Sequence, residues 1–303
     1  MTNNQSAGSS NTKPHQETVL PYFAFTLAAA VWGGSFVFMK DSLEKQNVFS
    51  FLAIRFAIAA LLMLIYRPKA LLGLNRKFIM RGAIAGSILA LGYILQSIGL
   101  TKTTVSNTGF ITGLYLVFTP LISAIAIRKP IKRWHLVAVI FATTGLFLIS
   151  FNGWRLGYGE TLVLISAAVY GAHIVVLGEW SDGSNTYALA LIQIMTTAII
   201  CSICAVFVGF EWVPNGSVWV SILFTAVLAT FFAFLVQTWS QSFMHATAAA
   251  VLFATETPFA VLFGLIFHND PMTIRIAIGG LLIMTAMFLV IWSDNRRSAK
   301  LSQ

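Results

Sequence analysis

Three ionisable side chains stand deep inside long apolar runs: Arg55, His173 and Glu256. Charge in such a place is costly in hydrocarbon, so these groups must face protein or a wet cavity, and each is a functional candidate by default. His173 is a residue type whose ordinary pKa, about 6.5, suits proton exchange near neutrality. Glu256 directly precedes Thr257-Pro258, where proline withdraws a backbone donor and weakens the helix. A carboxyl there can exchange a proton or bond the loosened backbone, so His173 and Glu256 are the two candidates for proton coupling. Arg55 lies nearer the start of its run, within reach of snorkelling or of helix carbonyls, and reads as structural.

A second set of residues could hold a polar solute with an apolar body. Tyr93 and Gln96 fall on one face of one run, and Phe234 and Gln237 on another. A buried amide wants several partners, which a polar solute could supply; the alternative is interhelical bonding worth about 0.6 kcal/mol. Trp32 and Tyr170 are mid-run aromatics able to wall such a solute or simply to pack. Thr108, Thr112, Tyr115 and Thr119 recur at helical spacing and form one stripe. That stripe reads as cavity lining around Tyr115, or as hydroxyls bonded to their own helix carbonyls. The candidate substrate-binding set is therefore Trp32, Tyr93, Gln96, Tyr115, Tyr170, His173 and Gln237. The Gly82/Gly86 and Gly109/Gly113 pairs have the spacing that permits close helix packing.

The elements that must carry these residues are membrane helices. Of 303 residues 57% are hydrophobic and only 10% charged, and the mean hydropathy is +0.81. Soluble domains carry about 25% charged residues, so this chain cannot cover a water-facing surface. Apolar segments fall at 20–39, 47–66, 78–100, 105–127, 133–151, 158–179, 187–209, 216–240, 246–267 and 273–292. Each is close to the roughly 20 residues that span a bilayer as a helix. The fold expected is an all-α integral membrane protein of ten transmembrane helices. Residues 1–19 are polar and expected to be disordered, with no removed signal peptide. The pI of about 9.8 does not imply nucleic acid, because the basic residues sit in short connections between spans. Cys201 and Cys204 are read as packing residues, so no metal is expected, and no cofactor. The chain lacks GxxxxGK[ST] and HExxH, which argues against an ATP-driven pump or an intramembrane protease.

The chain repeats itself. Thr119-Pro120 and Thr257-Pro258 lie 138 positions apart, as do Trp32-Gly33-Gly34-Ser35 and Tyr170-Gly171-Ala172-His173; Gln96 and Gln237 lie 141 apart. Two five-helix units are implied, at 20–151 and 158–292, followed by a tail at 293–303. Alternate connections hold Arg67, Lys69, Arg76, Lys77 and Arg81, then Arg128, Lys129, Lys132 and Arg133, with Arg296, Arg297 and Lys300 in the tail. The opposite side holds only Lys40, Lys45, Lys102, Arg155 and Arg275. The positive-inside rule then puts both termini in the cytoplasm. The repeat equivalents of the two basic connections, His268–Pro271 and Gly209–Ser217, contain no Lys or Arg. Matching loops of opposite charge character mean that the second unit is inverted relative to the first. Inverted repeats can exchange shapes around a midplane site, which is alternating access.

This order of pieces resembles the EamA-type branch of the drug/metabolite transporter superfamily. The matching stretches are LAAAVWGGSFVFMK, FLAIRFAIAALLML and FTPLISAI in the first unit, and AAVYGAHIVV, ATAAAVLFATETPFAVLFGLIF and AIGGLLIMTAMFLVIW in the second. The resemblance implies two inverted five-helix repeats and a central site between helices 1, 3, 4, 6, 8 and 9. The chain departs from many relatives after helices 4 and 9, where Arg128-Lys129-Pro130 and His268-Asn269-Asp270-Pro271 replace a glycine-glutamate pair. The expected function is a secondary transporter of small organic solutes and not an enzyme. An exporter of amino acids or related metabolites is the leading reading; a facilitative channel or a multidrug efflux carrier are the alternatives. The partners implied are a small-molecule substrate and the lipid bilayer of a plasma membrane, the inner membrane in a bacterium. Oligomeric state does not follow from the sequence.

Overall fold

The computed structural model describes residues 19–103, 105–128, 131–150, 157–181, 183, 185–259, 262–263 and 273–301. The polar segment 1–18, residue Arg155, and the departures at 129–130 and 268–271 lie outside them. Among the described residues every regular element is helical: α1 (Leu20–Leu43), α2 (Val48–Tyr66), α3 (Arg76–Lys102), α4 (Val105–Gly113), α5 (Tyr115–Ala126), α6 (Arg133–Ser150), α7 (Tyr158–Trp180), α8 (Thr186–Val208), α9 (Gly216–Ala226), a π-helical segment (Val227–Phe232), α10 (Ala233–Gln241), α11 (Ala246–Phe253) and α12 (Ile274–Leu301). Counting α9, the π segment and α10 as one element, seven helices are long and apolar enough to cross a membrane, and two shorter apolar helices cover 111–126 and 133–148. The last part of the ninth expected span, 264–267, lies outside the described residues.

Local sequence explains where the helices start and stop. The side chains of Asn47, Asn75 and Asn215 accept bonds from Phe49, Phe78 and Val218 N–H groups, satisfying donors that a helix start leaves open. Gly209 ends α8 at φ 108°, a conformation that glycine adopts without a Cβ penalty.

Two spans that read as continuous in the sequence are interrupted. The fourth span carries Thr119-Pro120, but Pro120 sits inside α5 and the break is at Leu114, between α4 and α5. A proline takes away the bond to the carbonyl four residues earlier. For Pro120 that is Leu116, so the disturbance falls toward the N-terminal side, while Thr119 Oγ1 donates to the Tyr115 carbonyl at 2.7 Å. The second copy behaves alike: Pro258 deprives Ala254, α11 stops at Phe253, and residues 256–259 are helical again. The π-helical turn at Val227–Phe232 has no proline and is not foreshadowed by a turn residue.

The packing is repeated between the halves. α3 lies against α7, and α1 against α9, the π segment and α10; α2 pairs with α8, and α6 with α12. Exchanging first-half helices for their repeat counterparts maps this set onto itself. Close approach is built into α3: a Cβ on Gly86 would stand 2.4 Å from the Gln193 carbonyl oxygen, and one on Gly92 2.7 Å from the Tyr170 ring. Polarity is distributed opposite to that of a soluble protein. Phe207, Ile125, Ile65 and Leu281 are exposed, whereas Arg55, Gln193, Gln237 and Thr238 are fully buried. Such a surface is stable against lipid, and a bundle of this kind must satisfy its polar groups internally.

Candidate solute-binding cavity

One cavity of about 50 Å³ gathers every sequence-predicted site residue: Trp32, Tyr93, Gln96, Tyr115, Tyr170, His173 and Gln237, together with Glu256. That is room for about four waters. Its walls come from α1, α3, α4, α5, α7, α10, α11 and the helical residues 256–259, so both halves contribute. Thr112 joins the lining. Thr108 and Thr119 are fully buried but are not part of it, and Thr119 bonds its own helix, the second of the two readings of that stripe.

The aromatic side of the cavity is a connected set. Trp32 stacks on Phe253 at 4.7 Å between centroids and meets Phe234 edge-on at 5.4 Å. Tyr115 meets Phe253 at 5.5 Å and Tyr93 meets Tyr170 at 5.7 Å. Ring pairs of this geometry add about 0.5–1.5 kcal/mol each beyond their area burial, which holds the wall in place. The Trp32 indole N–H donates to the Ala229 carbonyl at 2.8 Å, within the π segment. The tryptophan therefore offers the cavity its ring and not its polar group.

The polar side divides into two networks. In the first, Gln96 Nε2 donates to Thr112 Oγ1 at 3.0 Å and Tyr170 Oη donates to Gln96 Oε1 at 3.0 Å. In the second, Gln237 Nε2 donates to Gln241 Oε1 at 2.9 Å, and Gln241 Nε2 donates to the Ile174 carbonyl at 3.0 Å. Beside it, His173 Nε2 and Gln193 Oε1 lie 2.9 Å apart, and Gln193 Nε2 donates to Thr238 Oγ1 at 2.9 Å. Gln237 Oε1, fully buried, has no hydrogen-bond partner among the described residues.

Arg55 stands behind this wall. Its Nε donates to Thr230 Oγ1 at 2.9 Å, Nη1 lies 3.3 Å from Met39 Sδ, and Nη2 reaches Tyr93 Oη at 3.4 Å and the Ala229 carbonyl at 3.5 Å. The guanidinium also lies 4.9 Å from the Tyr93 ring centre, a cation–π arrangement. It fastens α2 to the π segment and supports Tyr93, in keeping with its structural reading. The sequence reading missed Gln193, Thr238 and Phe253. A signal existed for the first, since Gln193 lies 138 positions after Arg55 and is its repeat partner.

Apolar helices enclosing an interior polar and aromatic cavity are the build of a multi-pass membrane protein. The family model of the EamA-like transporter family matches the chain twice, over residues 19–151 and 157–292. The chain belongs to this family and is a multi-pass membrane protein. An Archaeoglobus fulgidus protein named "Uncharacterized transporter" is 33% identical over 87% of this chain and 83% of its own length. The Bacillus subtilis "Uncharacterized transporter YoaV" is 23% identical over 88% of this chain and 95% of its own. A solved crystal structure superposes with a TM-score of 0.76 at 15% identity, covering 91% of this chain and 98% of that one, a likeness of fold alone.

Proposed function

We propose that the chain is a secondary carrier that exports small organic solutes, amino acids or related metabolites first among them. It works by alternating access between two inverted five-helix halves, residues 20–151 and 158–292, in the plasma membrane. Both termini and the tail at 293–303 face the cytoplasm, as the distribution of Lys and Arg suggests. The observation that carries this reading is the cavity walled by repeat-related helices of both halves in which the candidate polar and aromatic residues meet. A site at such an interface changes its access when the halves exchange shapes, without being rebuilt. The amino-acid reading is supported by hydrogen-bonding groups beside an apolar ring wall. Tyr93 and Tyr115 bring hydroxyl groups and Glu256 a carboxyl, while Trp32, Phe234 and Phe253 suit a side chain.

The test is exchange of labelled amino acids in proteoliposomes holding the purified full chain. Saturable uptake, accelerated when the same solute is preloaded inside, is expected of a carrier. Flux rising in proportion to concentration, with no acceleration by preloading, would replace the carrier with a pore. If a proton gradient drives accumulation, His173 and Glu256, the two titratable cavity residues outside the tyrosines, are the coupling residues. His173→Gln and Glu256→Gln should then abolish gradient-driven accumulation while exchange persists at saturating solute.

A further inference from the structure

The hydrogen-bond networks fix which polar atoms remain free at one side of the cavity. Gln241 Nε2 must face the Ile174 carbonyl, because only its amide nitrogen can donate there. Its Oε1 therefore meets Gln237, which must present Nε2, leaving Gln237 Oε1 as the atom without a partner. The same logic fixes His173. Thr238 Oγ1 donates its proton to the Phe234 carbonyl at 2.7 Å, so it accepts from Gln193 Nε2. Gln193 Oε1 then faces His173 Nε2, which must carry a proton. In the neutral ring, Nδ1 is left as a lone-pair acceptor. The third group is Glu256, a cavity residue whose carboxyl makes no hydrogen bond or ion pair with a described residue.

Three acceptors with spare capacity thus line one small cavity: an amide oxygen, an imidazole nitrogen and a carboxyl group. Gln237 Oε1 is the fully buried one of the three, and an acceptor so placed costs about 1–3 kcal/mol without a partner, so the set suits something that brings donors. An ammonium group has three N–H donors and a positive charge; a carboxylate or a phosphate has none to give. The adjacent rings of Trp32 and Phe234 suit a cation flanked by an apolar chain. Arg55 does not fill this role, since it is committed behind Tyr93 to Thr230 and the π segment.

We infer that Gln237, Glu256 and His173 form a subsite for the ammonium group of a small organic amine, with the aromatic wall taking the amine's apolar part. The inference deepens the carrier reading by naming the group recognised, and it rests on that reading only for how the amine arrives and leaves.

The test measures binding separately from transport. Propylamine, 1-propanol and propionate have nearly the same small size and differ in charge and donors. Each is titrated onto the purified full chain and followed by ligand-observed NMR. The amine should bind about tenfold more tightly than the alcohol, and the acid more weakly than either. Glu256→Gln, which keeps the shape and removes the ionisable carboxyl, and Gln237→Leu should each reduce the amine's preference about tenfold while leaving the alcohol's affinity in place. Retained alcohol binding shows that a variant is folded; if Gln237→Leu fails that check, Glu256→Gln carries the test. Equal binding of amine and alcohol, preference for the acid, or a preference that Glu256→Gln leaves unaltered would overturn the subsite. Amine-selective binding with non-saturating flux would keep the subsite and remove the carrier. Saturable exchange without amine preference would do the reverse.

Discussion

Gln96 and Gln237 occupy matching places in the two halves, yet their surroundings treat them differently. Gln96 is used at both ends of its amide, giving to Thr112 and receiving from Tyr170. Gln237 gives to Gln241 and leaves its oxygen unused. The difference extends along the repeat. Ser35 is matched by His173, Phe118 by Glu256, Tyr93 by Phe234 and Arg55 by Gln193. The regular α3 is matched by a helix that turns π-helical at Val227–Phe232. Duplication supplies a symmetric frame, and substitution within it has made one wall a finished network and the other a wall with free acceptors. The asymmetry lies around the cavity, while the helix pairing that positions it stays symmetric.

The frame itself breaks or stands on sidedness. Leu72 and Trp212 are both exposed, at 71% and 69%, in connections that the repeat makes equivalent. With Cys201 and Cys204 replaced by serine, cysteines at positions 72 and 212 should react with a membrane-impermeant thiol reagent from opposite sides. This outcome is all-or-none: labelling of both from one side would end the inverted arrangement and alternating access with it.

Next in size is the contact between halves. Adding a methyl at Gly86 drives it into the Gln193 carbonyl and the Thr196 Cβ, 2.4 and 2.7 Å away. Backbone cannot yield as a flexible side chain can, so overpacking should outweigh the helix-propensity gain of alanine. Gly86→Ala is expected to lose about 1–2 kcal/mol in denaturant or detergent unfolding. Gly280, which has nothing within 4 Å of its Cβ position, is the control, and Gly280→Ala should be neutral or slightly stabilising.

How much of this was legible beforehand follows from what each signal depends on. The apolar runs, the doubling and the residues of the cavity could be read because hydropathy, spacing and misplaced polarity are properties of the chain itself. The break at Leu114 could not, since a proline disturbs the carbonyl one turn before it and the neighbouring packing decides where the helix gives way. The π segment could not either, because one of its carbonyls, that of Ala229, is taken up by both Trp32 and Arg55 from distant helices. The unused oxygen of Gln237 needed the whole chain of donors and acceptors through Gln241 to Ile174.

The two glutamines can be set against each other directly. Gln96→Leu strands the Tyr170 hydroxyl and Thr112 in a buried place and should cost about 1–3 kcal/mol of stability. Gln237→Leu takes the donor from Gln241 Oε1 but also removes a buried acceptor that has no partner, and the two effects offset, so it should cost less than about 1 kcal/mol. Thermal unfolding of both variants measures the gap. Equal losses would mean that the two amides are equivalent packing elements and that the asymmetry is without consequence.

The smallest expected difference concerns a second pair of repeat partners, the asparagines that precede α2 and α8. Asn47 and Asn185 lie 138 positions apart. Asn47 has ψ 134° and its side chain accepts the Phe49 N–H at 2.8 Å, a cap. Asn185 has ψ 38°, and its side chain makes no such bond. The backbone N–H of Asn47 also donates to Glu211 Oε2 at 2.8 Å, and that bond survives any change of side chain. Asn47→Ala therefore isolates the cap and should cost about 1 kcal/mol. Asn185→Ala removes no cap and should change stability by less than about 0.5 kcal/mol. A loss at Asn185 as large as at Asn47 would show that the start of α8 is held by its asparagine after all, and that the halves are more alike at their helix starts than around the cavity.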